Sequence, residues 1–155
     1  MNTSLLCETV RERLRYIFRN MQLPSEWNGD RTAPTVFDSY LPPKRSVRKD
    51  VDTDFPYVTV RPSKGNVSLQ GNMTTLRLIL GVRSDDSGDG VMNLLLMKDT
   101  IIRELFRAPR HGVFTFEQEA DWVMFDDQQD PTYELWIDTV WSGFLTPLED
   151  EGDEW

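Results

Sequence analysis

A chain of 155 residues with 39% hydrophobic and 11% aromatic content has the size of one domain. It buries roughly 70% of its unfolded surface, so neither a disulfide nor a metal is needed to hold its core. Its single cysteine, Cys7, excludes an internal disulfide framework and fits a reducing compartment, while a net charge of −9 is the reverse of the basic excess that a general nucleic-acid binder carries.

The first residues, MNTSLLCETVRERLRYIF, place arginines and glutamates where a secretion signal is continuously apolar. No apolar run in the chain approaches the ~18 residues of a membrane span. The expectation is a protein made and kept in the cytoplasm, or in something assembled there. Residues 3–21 read as an amphipathic helix: Leu6, Val10, Leu14, Ile17, Phe18 and Met21 form one stripe, with Glu8, Glu12 and Arg15 opposite. Asn2 or Thr3 caps it, and Pro24 lies just past its end. Cys7, on or beside the apolar stripe, reads as an inert core thiol.

Residues 22–54 hold four prolines and a basic cluster of Lys44, Arg45, Arg48 and Lys49. A loop this long is uncommon in a compact domain and is usually functional or disordered. It reads as an extended arm, and the four basic residues as its contact with a partner. Residues 55–61 (FPYVTVR) and 72–83 (NMTTLRLILGVR) read as strands, joined by a turn-rich connection into an antiparallel hairpin. In the second strand Leu76, Leu78, Leu80 and Val82 face one way; Thr75, Arg77 and Ile79 face the other.

The stretch SDDSGDGVMNLLLMKD, residues 84–99, invites comparison with a calcium loop. Counted from Asp85, positions three, five and six are Ser87, Asp89 and Gly90, but position twelve is Leu96, where an EF-hand requires a bidentate glutamate. The preceding residues read as a strand, not an entering helix. The better reading is a turn through Asp86, Ser87 and Gly88, with Asp89 or Ser87 capping a second helix over about 90–107. That helix is more apolar than one buried face requires. On a helical wheel Met92, Leu95, Ile102 and Phe106 face the sheet, with Asp99 falling among them, and Leu94, Met97 and Ile101 point away. Either Lys98, Arg103 and the C-terminal strands cover this second face, or Leu94, Met97 and Ile101 form a subunit interface.

Further strands are expected at 113–118 and 132–144, with a weaker one at 121–125. In the last strand Tyr133, Leu135, Ile137 and Trp141 share a face. The order α-β-β-α-β-(β)-β predicts an α+β fold, a mainly antiparallel sheet with two helices packed on it. Residues 1–147 form one domain, and residues 148–155 an acidic disordered tail; the last seven residues hold five acidic groups.

Catalytic signatures are missing from the sequence. One histidine, His111, and one cysteine do not make a Cys/His zinc site. No phosphate-cradling glycine loop, G-x-S-x-G or H-E-x-x-H occurs. Glu119, Asp121, Asp126, Asp127 and Asp130 allow a metal-dependent nuclease cluster in principle, but a solvated loop before Pro131 is the better reading. The five tryptophans read as core and interface anchors. No enzyme activity and no cofactor are expected.

Taken together, FPYVTVRP, TTLRLILGVRSDD, GVMNLLLMKDTIIRELFR and YELWIDTVWSGF resemble, in order and spacing, the tail terminator proteins of long-tailed bacteriophages, also called tail completion or minor tail proteins. The resemblance covers residues 55–145 and the N-terminal helix. It implies an α+β subunit of a hexameric ring on the head-proximal end of the tail tube, which stops tube polymerisation and joins the tail to the head connector. The partners so implied are further copies of the chain, the tube protein and the connector or stopper protein. DNA passes through the lumen without specific binding, and no membrane is involved. The location is the virion tail or neck, after assembly in the host cytoplasm. Another ring protein of the head–tail neck is the alternative. The proline-rich 22–54 segment and the acidic tail depart from the family pattern.

Overall fold

A computed structural model describes residues 2–24, 31–39, 55–128 and 131–143. Most of the 22–54 segment, with Lys44, Arg45, Arg48 and Lys49, lies outside the described residues, as do Asp130 and the acidic tail. The first helix, α1, spans Thr3–Phe18 and is capped by Asn2, whose side-chain oxygen accepts from the Leu5 N–H at 3.0 Å. It stops three residues short of the predicted end, where Met21 N–H turns back to the Phe18 carbonyl. Leu6, Val10, Leu14 and Phe18 are buried, as the stripe predicts, and Cys7 is buried beside them. Burial pushes the Cys7 thiol pKa up, against a smaller opposing effect of Arg11.

Two short strands, β1 (Leu23–Pro24) and β2 (Arg31–Thr32), pair antiparallel as a separate ribbon. The main sheet comprises β3 (Thr35–Phe37), β4 (Tyr57–Ser68), β5 (Gly71–Arg83), β6 (Arg110–His111), β7 (Phe114–Val123) and β8 (Thr132–Gly143). Its spatial order is β3-β4-β5-β8-β7-β6, and only β3–β4 is parallel. With two helices beside a mostly antiparallel sheet, the α+β class stands.

The strands differ from the sequence expectation in two places. The connection at 62–71 is not a loop, because β4 continues to Ser68 and turns only at Leu69 and Gln70. Pro62 cannot donate to a ladder, and a shift in register between Pro62 and Lys64 absorbs it. The strands expected at 113–118 and 121–125 are one strand, β7. A bulge between Phe116 and Ala120, with Gln118 at φ 55°, breaks its alternation and so hid its continuity.

The core lies between the helices and one face of the sheet. Val58 and Val60 of β4, Leu76, Leu78, Leu80 and Val82 of β5, and Tyr133, Leu135, Ile137 and Trp141 of β8 all join it. Their alternation is what the period-2 pattern predicts. Thr139 shares that face. Its hydroxyl donates to the Leu76 carbonyl at 3.0 Å and accepts from Trp141 Nε1 at 2.8 Å, so the buried polar atoms of this group are paired.

The second helix, α2 (Ser87–Arg107), begins with Asp86 as its cap. The Asp86 carboxylate accepts from the Asp89 N–H at 3.1 Å, so neither Asp89 nor Ser87 is the capping residue. Its two apolar faces are the reverse of the expectation. Leu94, Met97 and Ile101 are fully buried and, with Leu105, pack into the core. At roughly 1.5–3 kcal/mol for each side chain removed from water, these four hold the helix to the sheet. Met92 and Phe106, expected to face the sheet, are exposed. The signal was Asp99: a charged side chain among Met92, Leu95, Ile102 and Phe106 marks the face that meets water.

Candidate functional site

Of the residues expected at a subunit interface, Leu94, Met97 and Ile101 are therefore core. The surface that remains on α2 is the opposite stripe. Met92 is 66% exposed, Leu96 50% and Phe106 39%, and Leu95 and Ile102 are half-buried along the same side. Asp99 and Arg103 interrupt the stripe, and Asp99 is bonded to its neighbour Lys98 at 2.6 Å. Scattered surface apolars are normal, but five on one side of a helix whose other side already fills the core mark a contact surface.

This stripe borders the sheet edge at β7. Phe106 packs edge-on against Phe116 with ring centroids 5.1 Å apart, and its carbonyl accepts from the Gln118 side chain. Lys98 Nζ sits 4.4 Å from the centre of the Trp122 ring. Trp122 is 49% exposed, and Val123 and Phe125 are exposed beside it. β6 pairs only with Phe114 and Thr115, so among the described residues the β7 edge from Glu117 to Val123 has no strand beside it. The helix stripe and this edge together form an apolar margin on one flank of the subunit.

The sheet face away from the helices carries a second cluster that the sequence reading did not identify. Phe55, Tyr57 and Ile79 are buried there, with Phe37 and Trp136 packed on them. Gly81 is required beneath Tyr57, because a Cβ at that position would overlap the ring. Arg77 forms a two-pronged pair with Asp138 at 2.9 and 3.2 Å, and its guanidinium stacks 4.3 Å from the Trp136 ring centre. The hydrogen bond from Asp138 raises the Arg77 pKa further above its ordinary value. A usable signal was present in the sequence: arginine and aspartate at the midpoints of two alternating strands require a partner across the ladder.

The chemically suggestive residues separate in space. His111 lies in β6, its ring 5.6 Å from that of Trp141 and its Nε2 buried without a partner. Burial, and then the nearby Arg13 charge, hold its pKa below the ordinary histidine value, against a hydrogen bond with the Ala108 carbonyl. Arg13 reaches from α1 toward Glu104 of α2 at 3.9 Å, while Arg107 binds Glu104 at 2.6 Å. The Arg107 hydrogen bond is the main cause that lowers the Glu104 pKa. This group joins the two helices. Glu119 and Asp121 lie on β7, Asp126 and Asp127 in the following loop, and Asp85 and Asp86 at the α2 cap. Among the described residues, no three acidic, histidine or cysteine side chains converge to hold a metal.

Asn72 is 2% exposed, yet neither atom of its amide has a hydrogen-bond partner. It lines two grooves at the β4–β5 hairpin, of 360 and 320 Å³, beside the exposed Val67 and Met73. No protein-family model matches the chain, and no curated protein matches it.

Proposed function

We propose that this chain is a structural subunit of the neck of a long-tailed bacteriophage, a terminator that closes as a hexameric ring on the head-proximal end of the tail tube. In that role it stops tube polymerisation and offers its other side to the head connector or stopper. The observation that carries this reading is the second apolar face of α2. Met92, Leu95, Leu96, Ile102 and Phe106 lie opposite the core face, a surface that an isolated subunit leaves in water and an assembled one covers. The order of segments that resembles the terminator family supports it, as does the net charge of −9, which keeps a DNA backbone from adhering to a lumen it must pass through. The chain performs no catalysis in this role and takes no cofactor.

The test is to add purified protein to polymerising tube protein and measure tube lengths and end structure by negative-stain electron microscopy. The expected result is shorter tubes, each with a ring at one end. The double variant Met92→Asp with Leu96→Asp should fold as wild type and fail to cap. Tubes that grow unchanged in the presence of wild-type protein refute the terminator reading. Cross-linking to the connector without any to the tube assigns the chain to another ring of the neck.

A further inference from the structure

One row of the outer sheet face runs through four strands. Asp121 of β7 is the register partner of Asp138 of β8, Asp138 of Arg77 of β5, and Arg77 of Arg61 of β4. The two inner members neutralise each other in the Arg77–Asp138 pair. The row therefore ends in an acid on one side of the sheet and a base on the other. Like charges directly opposite are unfavourable in a ladder, so Asp121 beside Asp138 and Arg61 beside Arg77 are costly within the subunit unless something beyond each edge compensates.

The surroundings extend this polarity. Glu117, Glu119, Asp121, Asp126 and Asp127 cluster at the β7 side, and none of them forms an ion pair among the described residues. On the other side stand Arg61, held in place by its bond to the Ser39 carbonyl at 2.8 Å, and Lys64. Three antiparallel pairings separate β4 from β7, so the two strands run in opposite directions. A copy rotated about a common axis thus brings its β4 antiparallel to the β7 of its neighbour. Both margins also carry bulges, at Pro62/Lys64 and at Phe116/Ala120. Such features discourage an unlimited backbone ladder and favour a contact made by side chains.

We propose that copies of this chain associate head to tail, the acidic β7 edge of one against the basic β4 edge of the next, with Asp121 facing Arg61. The partner is a second copy, because the complementary charge lies on the opposite edge of the same molecule, and a phosphate backbone would be repelled by the acidic side. Such a contact is heterologous and generates a ring when the rotation closes. It supplies the lateral contact of the ring proposed above and rests on that reading. The exposed Trp122 and Val123 add an apolar component beside the charges.

The test is sedimentation velocity of the wild type, of Asp121→Lys and of Arg61→Glu, over a range of concentration and salt, with circular dichroism to confirm folding. The wild type should associate at low salt and dissociate as salt rises. Each reversal should weaken association by roughly tenfold or more. An equimolar mixture of the two variants should recover it, since each then offers the edge that the other lacks. Lys64→Glu, which leaves the Arg61–Ser39 bond intact, should weaken association in the same direction. A wild type that stays monomeric at low salt overturns the proposal while leaving tube capping open to its own test. Variants that associate as the wild type does, or a mixture that fails to recover, overturn this contact while a ring formed through another surface still stands.

Discussion

Replacing Ile101 by alanine separates a core role for this side of α2 from an interface role. The side chain is fully buried within the main core cluster. The substitution deletes three carbons, and at about 0.8 kcal/mol each the transfer loss is about 2.4 kcal/mol. A residual cavity of roughly 40 Å³ adds about 1 kcal/mol, giving about 3.4 kcal/mol in all. With a urea m-value of about 2 kcal/mol/M for a domain of this size, the unfolding midpoint should fall by about 1.7 M. Leu96→Ala, five positions earlier on a half-exposed site, should cost under about 1 kcal/mol. The assay is equilibrium urea unfolding followed by circular dichroism, at a concentration where the protein is monomeric. Equal, small losses at both sites, with unchanged m, would refute the orientation of α2 and return Ile101 to the surface.

Two further substitutions probe the polar interior. Asn72→Leu removes an unpartnered amide at nearly constant volume and should raise stability by about 1 kcal/mol, read as a higher thermal midpoint. A fall would show that the amide has a partner in the folded protein. His111 has a folded-state pKa below its ordinary 6.5, so both folded and unfolded chains hold it neutral above that value. As pH drops below it, the unfolded chain takes up the proton first, and stability declines until the folded pKa is passed. His111→Gln should flatten this part of the stability–pH curve, measured by urea unfolding from pH 7.5 to 5, and a curve of unchanged slope would remove His111 as the cause.

What the sequence made legible were the features governed by short-range periodicity. The core stripe of α1, the alternation of Leu76, Leu78 and Leu80, and the inward set of β8 follow from periods of 3.6 and 2 and hold in the structure. Two kinds of feature escaped. Bulges at Pro62/Lys64 and Phe116/Ala120 shift register inside a strand, and a pattern counted in twos reads such a shift as an end. The rotation of α2 depended on which of two apolar faces met the sheet. Hydrophobicity alone did not decide it, because Leu94 and Leu96 are chemically identical and differ only in direction. The candidate interaction surface was harder still. Asp121, Asp138, Arg77 and Arg61 are scattered over four strands, and only long-range pairing sets them in one row. The surface-exposed half of α2 was visible in the sequence, but as the wrong three residues.

The position of β5 also bears on how the protein comes to be folded. Its neighbour β4 is adjacent in sequence, but on its other side the ladder is completed by β8, and the bond from Thr139 to Leu76 spans 63 residues. On the ribosome, α1 and the β4–β5 hairpin emerge first, with the inner edge of β5 open. The intervening chain takes on the order of seconds to synthesise. During that interval Leu76, Leu78 and Leu80 lie on a sheet with one side unpaired, a state prone to pairing with the wrong chain. The yield of soluble protein is then governed by the lifetime of that half-built sheet as much as by the stability of the finished one. Substitutions in β8 that delay its docking should appear in cells as insoluble protein, even where the purified remainder unfolds at a normal temperature.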